Sequence, residues 1–210
     1  MIVPAAAAVL VLAELHLVVP SVVWRLRQFG MDRVYDGLTM LVAALAAVPA
    51  LATGWPTGLV VGRWDPLVAV AAAVAGWVLP LAAGRLTGRS GSRPSSSDPP
   101  PPAVRIISVA TAEELLWRVL APAAGQAVGW HPAVAIAAAL CGFLLVHVGH
   151  FGFRRLPYLA VAGLLFTGCA LAGGLLAAAA AHAAHNLLLI RGRAAARRRP
   201  NQARIAGPTS

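Results

Sequence analysis

The chain has 210 residues, 59% of them apolar and only 11% charged, with a net charge of +10 and a mean hydropathy of +0.76. A soluble globule carries about a quarter charged residues, so a water-facing surface is excluded and this one must face lipid. Nucleic acid is excluded as a partner too: all 17 basic residues are arginines, six in the last twenty positions and nearly all others between apolar runs, so no folded basic face exists.

Seven apolar stretches follow one another: residues 2–24, 37–54, 67–84, 106–127, 131–149, 157–173 and 175–190. Most approach the ~20 residues a helix needs to cross the hydrocarbon, and the last two meet at Gly173-Gly174. The predicted fold is an all-α polytopic membrane protein of about seven transmembrane helices, with a polar site inside the C-terminal four. Met1-Ile2-Val3-Pro4 places no positive charge ahead of the first run, which is therefore expected to be a retained span and not a signal peptide.

The connections set the expected orientation. Arg25, Arg27 and Arg33 follow the first run, Arg85, Arg89, Arg93 and Arg105 the third, and Arg154 and Arg155 the fifth. Six more follow the seventh, from Arg191 to Arg204, whereas the opposite connections hold only Arg63. By the positive-inside rule the N-terminus is outside and the C-terminus cytoplasmic. A bias toward Ala, Gly, Pro and Arg reflects a GC-rich genome, pointing to the cytoplasmic membrane of a bacterium. Residues 1–84 form a three-span unit, 85–104 a disordered Ser/Pro-rich cytoplasmic linker, 105–190 a four-span unit, and 191–210 a basic cytoplasmic tail. Cys141 and Cys169 lie within apolar runs, where buried, inert thiols are expected.

Ionisable groups within a span are costly and mark function by default. Glu113 and Glu114 are followed by Arg118. At about 100° per residue Glu114 and Arg118 share a face and suit an ion pair, while Glu113 points about 100° away toward another neighbour. That leaves one structural pair and one carboxylate for chemistry. Phe143 and His147 are four apart on the fifth run, and His182 and Asn186 four apart on the seventh, among alanines and leucines that offer no polar partner. These groups must find partners on other helices. His185 is either a further site member or a core histidine. His131 and His150, at run ends, are expected to be unremarkable, and Glu14 and His16 in the first run carry no assignment. Counted from the flanking arginines, Glu113 and His182 lie roughly 12–14 Å deep and His147 at most ~10 Å. Three helices thus place their polar groups in the same half of the bilayer.

Glu113-Glu114-x-x-x-Arg118, Phe143-x-x-x-His147 and His182-x-x-x-Asn186, in that order, resemble the three motifs of the CAAX protease and bacteriocin-processing family of intramembrane proteases. The resemblance covers roughly residues 105–190. It implies an endopeptidase in which Glu113 and His147 activate a water and His182 and Asn186 stabilise the oxyanion, with Glu114, Arg118 and Phe143 supporting them. It implies membrane lipid and a membrane-associated peptide or protein as partners. No cofactor is required by that scheme, although Glu113, His147 and His182 are also a donor set that suits zinc. A non-catalytic immunity or scaffold protein of the same fold is the alternative. A small transporter would need two alike halves, which this chain lacks.

Overall fold

The computed structural model describes residues 2–25, 31–54, 65–87 and 101–205, with backbone alone at 24–25, 31–32, 86–87, 150 and 192–205. No strand occurs among them. The helices are α1 (Ile2–Arg25), α2 (Met31–Ala52), α3 (Pro66–Thr87), α4 (Ala103–Glu114), α5 (Ala121–Ala127), α6 (Pro132–Phe151) and α7 (Leu156–Ile205). Every one of the seven apolar runs is helical. Among the described residues five helices are long and apolar enough to cross a membrane, and the chain is an integral membrane protein.

The 106–127 run is not one of those five. It is continuous helix, but α4 passes into α5 through a π-helical turn, Leu115–Leu120, in which the Ala121 N–H reaches back to the Leu116 carbonyl. Pro122 follows directly. Proline has no N–H for the carbonyl four residues back and its ring crowds that carbonyl, so a wider turn ahead of it relieves both problems.

α7 is two helices. Gly173 and Gly174 leave helical geometry, Gly174 at φ 69 and ψ −161, a conformation open essentially to glycine alone. The rings of Phe166 and His182 stack with centroids 4.5 Å apart, whereas sixteen residues of straight helix would separate them by about 24 Å. The chain therefore doubles back at the glycine pair into an antiparallel hairpin, α7a (156–172) and α7b (175–205). This is the boundary that the two short apolar runs share.

Buried positions are dominated by alanine, among them Ala6, Ala13, Ala43, Ala46, Ala177 and Ala181. Lipid is as apolar as leucine, so helices associate in it by close backbone approach and by polar contacts, and small residues permit the approach. The tightest contact is between α3 and α7b, where a Cβ on Gly76 would land on the backbone carbonyl of Ala181, next to His182. Val68 likewise lies against Gly173, so α3 runs parallel to α7b. Large side chains such as Leu41, Val48, Leu51, Leu67 and Leu171 face outward.

The 85–104 linker is shorter than its composition suggested: α3 continues to Thr87 and α4 begins at Ala103, after an extended Pro102. Residues 88–100 lie outside the described residues. Helix also continues past Arg191 to Ile205. Cys141 is not buried but exposed on the outer face of α6, while Cys169 is half-buried.

Gly174→Ala should cost ~1–3 kcal/mol, the usual penalty for forcing a side chain into such a backbone region. Thermal unfolding in detergent should show a lowered midpoint; an unchanged midpoint would contradict the glycine-dependent hairpin.

Candidate active site

The site is built on α4 with its π-turn, α6 and α7b. Glu113 and Glu114 close α4 and are both buried, Glu114 completely. A carboxylate in an apolar surround must be matched by donors or opposite charge, and adjacent residues on a helix reach different neighbours. Glu114 turns to α7b and to its own helix: its Oε1 lies 2.8 Å from His182 Nδ1 and its Oε2 3.5 Å from Arg118 Nε. The predicted Glu114–Arg118 pair is therefore present, with His182 as a second partner that the sequence did not reveal. Arg118 also lies over the Phe143 ring, 4.2 Å from its centroid.

Glu113 turns the other way. Its Oε1 accepts a hydrogen bond from the Tyr35 hydroxyl at 2.7 Å. Its Oε2 lies 3.7 Å from His147 Nε2 and 3.5 Å from His182 Nε2. One ligand atom from each of Glu113, His147 and His182 lies within 4.8 Å of the others. The sequence placed these three at similar depth on three helices; the structure brings them to one point.

The opposite ring nitrogens explain what they present there. His147 Nδ1 is 2.9 Å from the Phe143 carbonyl, a pure acceptor, so Nδ1–H donates to it. The four-residue spacing within α6 creates that bond. His182 Nδ1–H donates to the Glu114 carboxylate in the same way. In the neutral ring each Nε2 is then a bare lone pair. Two imidazole nitrogens and one carboxylate oxygen face one another with no hydrogen bond among them. The Phe143 ring lies tilted against His147 at a centroid distance of 4.1 Å, and Phe166 stacks on His182, so both rings are held in orientation from the side.

Asn186 is not drawn into this cluster. Its Oδ1 accepts from His185 Nδ1 at 3.0 Å, and the Tyr158 hydroxyl donates to His185 Nε2. His185 is thus bonded on both sides, and the three converging residues are Glu113, His147 and His182. Because Oδ1 is held by His185, the Asn186 amide NH2 is left as the donor end. His131 is an exposed helix cap, accepting from the Ala133 N–H; the side chain of His150 lies outside the described residues.

Residues 99–188 match the model of the family described as type II CAAX prenyl endopeptidase Rce1-like. All three motifs fall within the matched stretch. Over this stretch the chain is similar to the Rce1-like CAAX proteases. No curated protein and no solved structure matches the chain. The family match leaves α1, α2, α3 and most of the connection after α3 uncovered, although Tyr35 of α2 touches Glu113.

Arg118 and Glu114 have side chains exposed by only 2% and 0%. Arg118→Ala strands a buried carboxylate and should cost ~3–5 kcal/mol, as breaking a buried pair usually does. Yield and thermal stability in detergent should both fall. Wild-type stability in this variant would show that the pair does not hold the helix.

Proposed function

We propose that this protein is an intramembrane endopeptidase that hydrolyses a peptide bond in a membrane-associated peptide or protein. The convergence of Glu113 Oε2, His147 Nε2 and His182 Nε2 carries this reading. A water at that point can donate one proton to Glu113 and the other to His147, leaving its lone pair free for a carbonyl carbon. As the carbon–oxygen bond forms, Glu113 takes the proton and the carbonyl oxygen becomes an oxyanion. The carbon–nitrogen bond then breaks, the amine leaves with the proton from Glu113, and the other product is a carboxylic acid that gives its remaining proton to His147 and departs as the carboxylate. General-base help of this kind contributes ~10²–10⁴ in rate.

His182 and Asn186 are the proposed oxyanion stabilisers. Asn186 can supply its amide NH2. For His182 to donate from Nε2 while Nδ1 donates to Glu114, the ring must be the imidazolium, and the Glu114 carboxylate supports that charge. Glu114 thus has a part in the chemistry besides its pairing with Arg118.

A second reading is favoured by the ring tautomers. Histidines that ligate a metal through one nitrogen nearly always donate the other N–H to a carboxylate or a carbonyl, and both do so here. The donor set fits zinc: Glu113 Oε2, His147 Nε2 and His182 Nε2 would hold it. The ion would supply a Lewis acid and an activated water. This chain's own part would be to hold the ligands oriented, through Phe143 and Glu114.

The family name indicates prenylated CAAX tails as one substrate class. For a bacterial chain we favour a peptide pheromone, a bacteriocin leader or the tail of a membrane protein. The distribution of arginines supports a cytoplasmic membrane location with the N-terminus outside and the site opening toward the cytoplasm.

An internally quenched, farnesylated CAAX-type peptide in detergent micelles tests the reading. Glu113→Gln should cut hydrolysis by ~10²–10⁴ while the protein stays folded; full activity would sink the protease assignment. Direct water activation predicts wild-type activity after exhaustive chelation and no stoichiometric zinc by elemental analysis. The zinc reading predicts loss on chelation and recovery with zinc in the wild type but not in Glu113→Gln.

A further inference from the structure

The N-terminal helices do more than anchor the chain. On α2, Tyr35 and Thr39 are four residues apart, and on the site helix so are Glu113 and Trp117. His16 of α1 stands between them, completely buried. Trp117 Nε1 lies 3.2 Å from His16 Nδ1, and His16 Nε2 lies 2.9 Å from Thr39 Oγ1. Thr39 is in turn a side-chain hydrogen-bond partner of Tyr35, whose hydroxyl lies 2.7 Å from Glu113 Oε1.

The direction of every bond in this series is forced by its two ends. An indole N–H can only donate, so His16 Nδ1 must accept. The remaining proton of the neutral ring is then on Nε2 and goes to the Thr39 oxygen. That oxygen's own proton is free for Tyr35, and the Tyr35 proton is directed to Glu113. At the far end a carboxylate can only accept. The series delivers one O–H to Oε1 and to no other atom, which leaves Oε2 as the oxygen turned to His147 and His182.

We infer that Tyr35 is a positioning residue for Glu113: its hydroxyl, oriented through Thr39, His16 and Trp117, holds Oε1 so that Oε2 faces the two histidines. α1 and α2, outside the family match, therefore reach the reaction centre. The role in turnover rests on the endopeptidase reading above; the grip on Glu113 does not.

Two readouts keep these apart. The first is the kcat and KM of Tyr35→Phe on the quenched farnesylated peptide. The second is the rate at which a hydrophobic carbodiimide modifies Glu113, followed by mass spectrometry of the peptide that contains it. Tyr35→Phe should lower kcat at least about tenfold, within the range for disturbing a positioned base, with KM near wild type. Loss of the hydroxyl uncovers Oε1, so carbodiimide modification should quicken several-fold. Incorporating 3-fluorotyrosine at position 35 keeps the hydroxyl and should restore both values; it also serves if the Phe variant folds poorly. An unchanged kcat together with an unchanged modification rate overturns the inference, as does a 3-fluorotyrosine protein as impaired as Tyr35→Phe. If the wild type leaves the peptide uncut, a farnesylated CAAX tail is not its substrate and the modification rate alone decides: a rise sustains the grip on Glu113, and no change refutes it.

Discussion

Two adjacent carboxylates in an apolar helix set the problem that the rest of this structure answers. Neither Glu113 nor Glu114 reaches water readily, and burying a charge without compensation costs several kcal/mol. Being consecutive, they must be satisfied in different directions. Glu114 takes Arg118 and His182, which ties α4 to α7b. Glu113 takes Tyr35, which ties the site helix to α2, and leaves its second oxygen for His147 and His182. The same pair that costs most to bury is therefore what assembles four helices around one point.

The surrounding helices are suited to that task. Alanine-lined interfaces and the Gly76–Ala181 crossing bring backbones close, so that short polar reaches suffice. The hairpin at Gly173-Gly174 sets Phe166 flat on His182, and Phe143 contributes both a ring and a carbonyl to His147. Rings packed against a phenylalanine on one side and held by Nδ1 hydrogen bonds on the other present Nε2 in a defined direction. Pre-organised groups of this sort give catalysis without reorganisation at the moment of reaction.

Much of this was legible in the sequence. The seven runs, the break at the glycine pair and the three polar clusters follow from hydropathy, arginine placement and four-residue spacings, because each is a local property of a helix in lipid. The Glu114–Arg118 pair is local too. Contacts between helices were not legible. Tyr35 and Glu113 are 78 positions apart and His16 and Trp117 are 101 apart, and nothing near His16 marks it as more than a core histidine. The second partner of Glu114 was hidden for the same reason. Spacing placed His182 and Asn186 on one face, yet it said nothing of which group His185 would hold. Composition suggested disorder across 85–104 because Ser and Pro dominate its middle, but its ends are helical where apolar residues resume.

The account turns on which nitrogen of each imidazole carries the proton, since the bare Nε2 of His147 and the Nδ1–H that His182 gives to Glu114 decide what the three residues present to a water. Nitrogen-15 NMR of histidine-labelled protein in detergent, with resonances assigned by single His→Gln variants, reads this directly. The account predicts an unprotonated Nε2 with Nδ1–H on His147, protonated Nδ1 on His182, and the opposite tautomer, Nε2–H with bare Nδ1, on His16. An Nε2–H tautomer with bare Nδ1 at His147 or His182 would place a donor against Glu113, reduce the cluster to simple carboxylate–imidazole pairs, and contradict it.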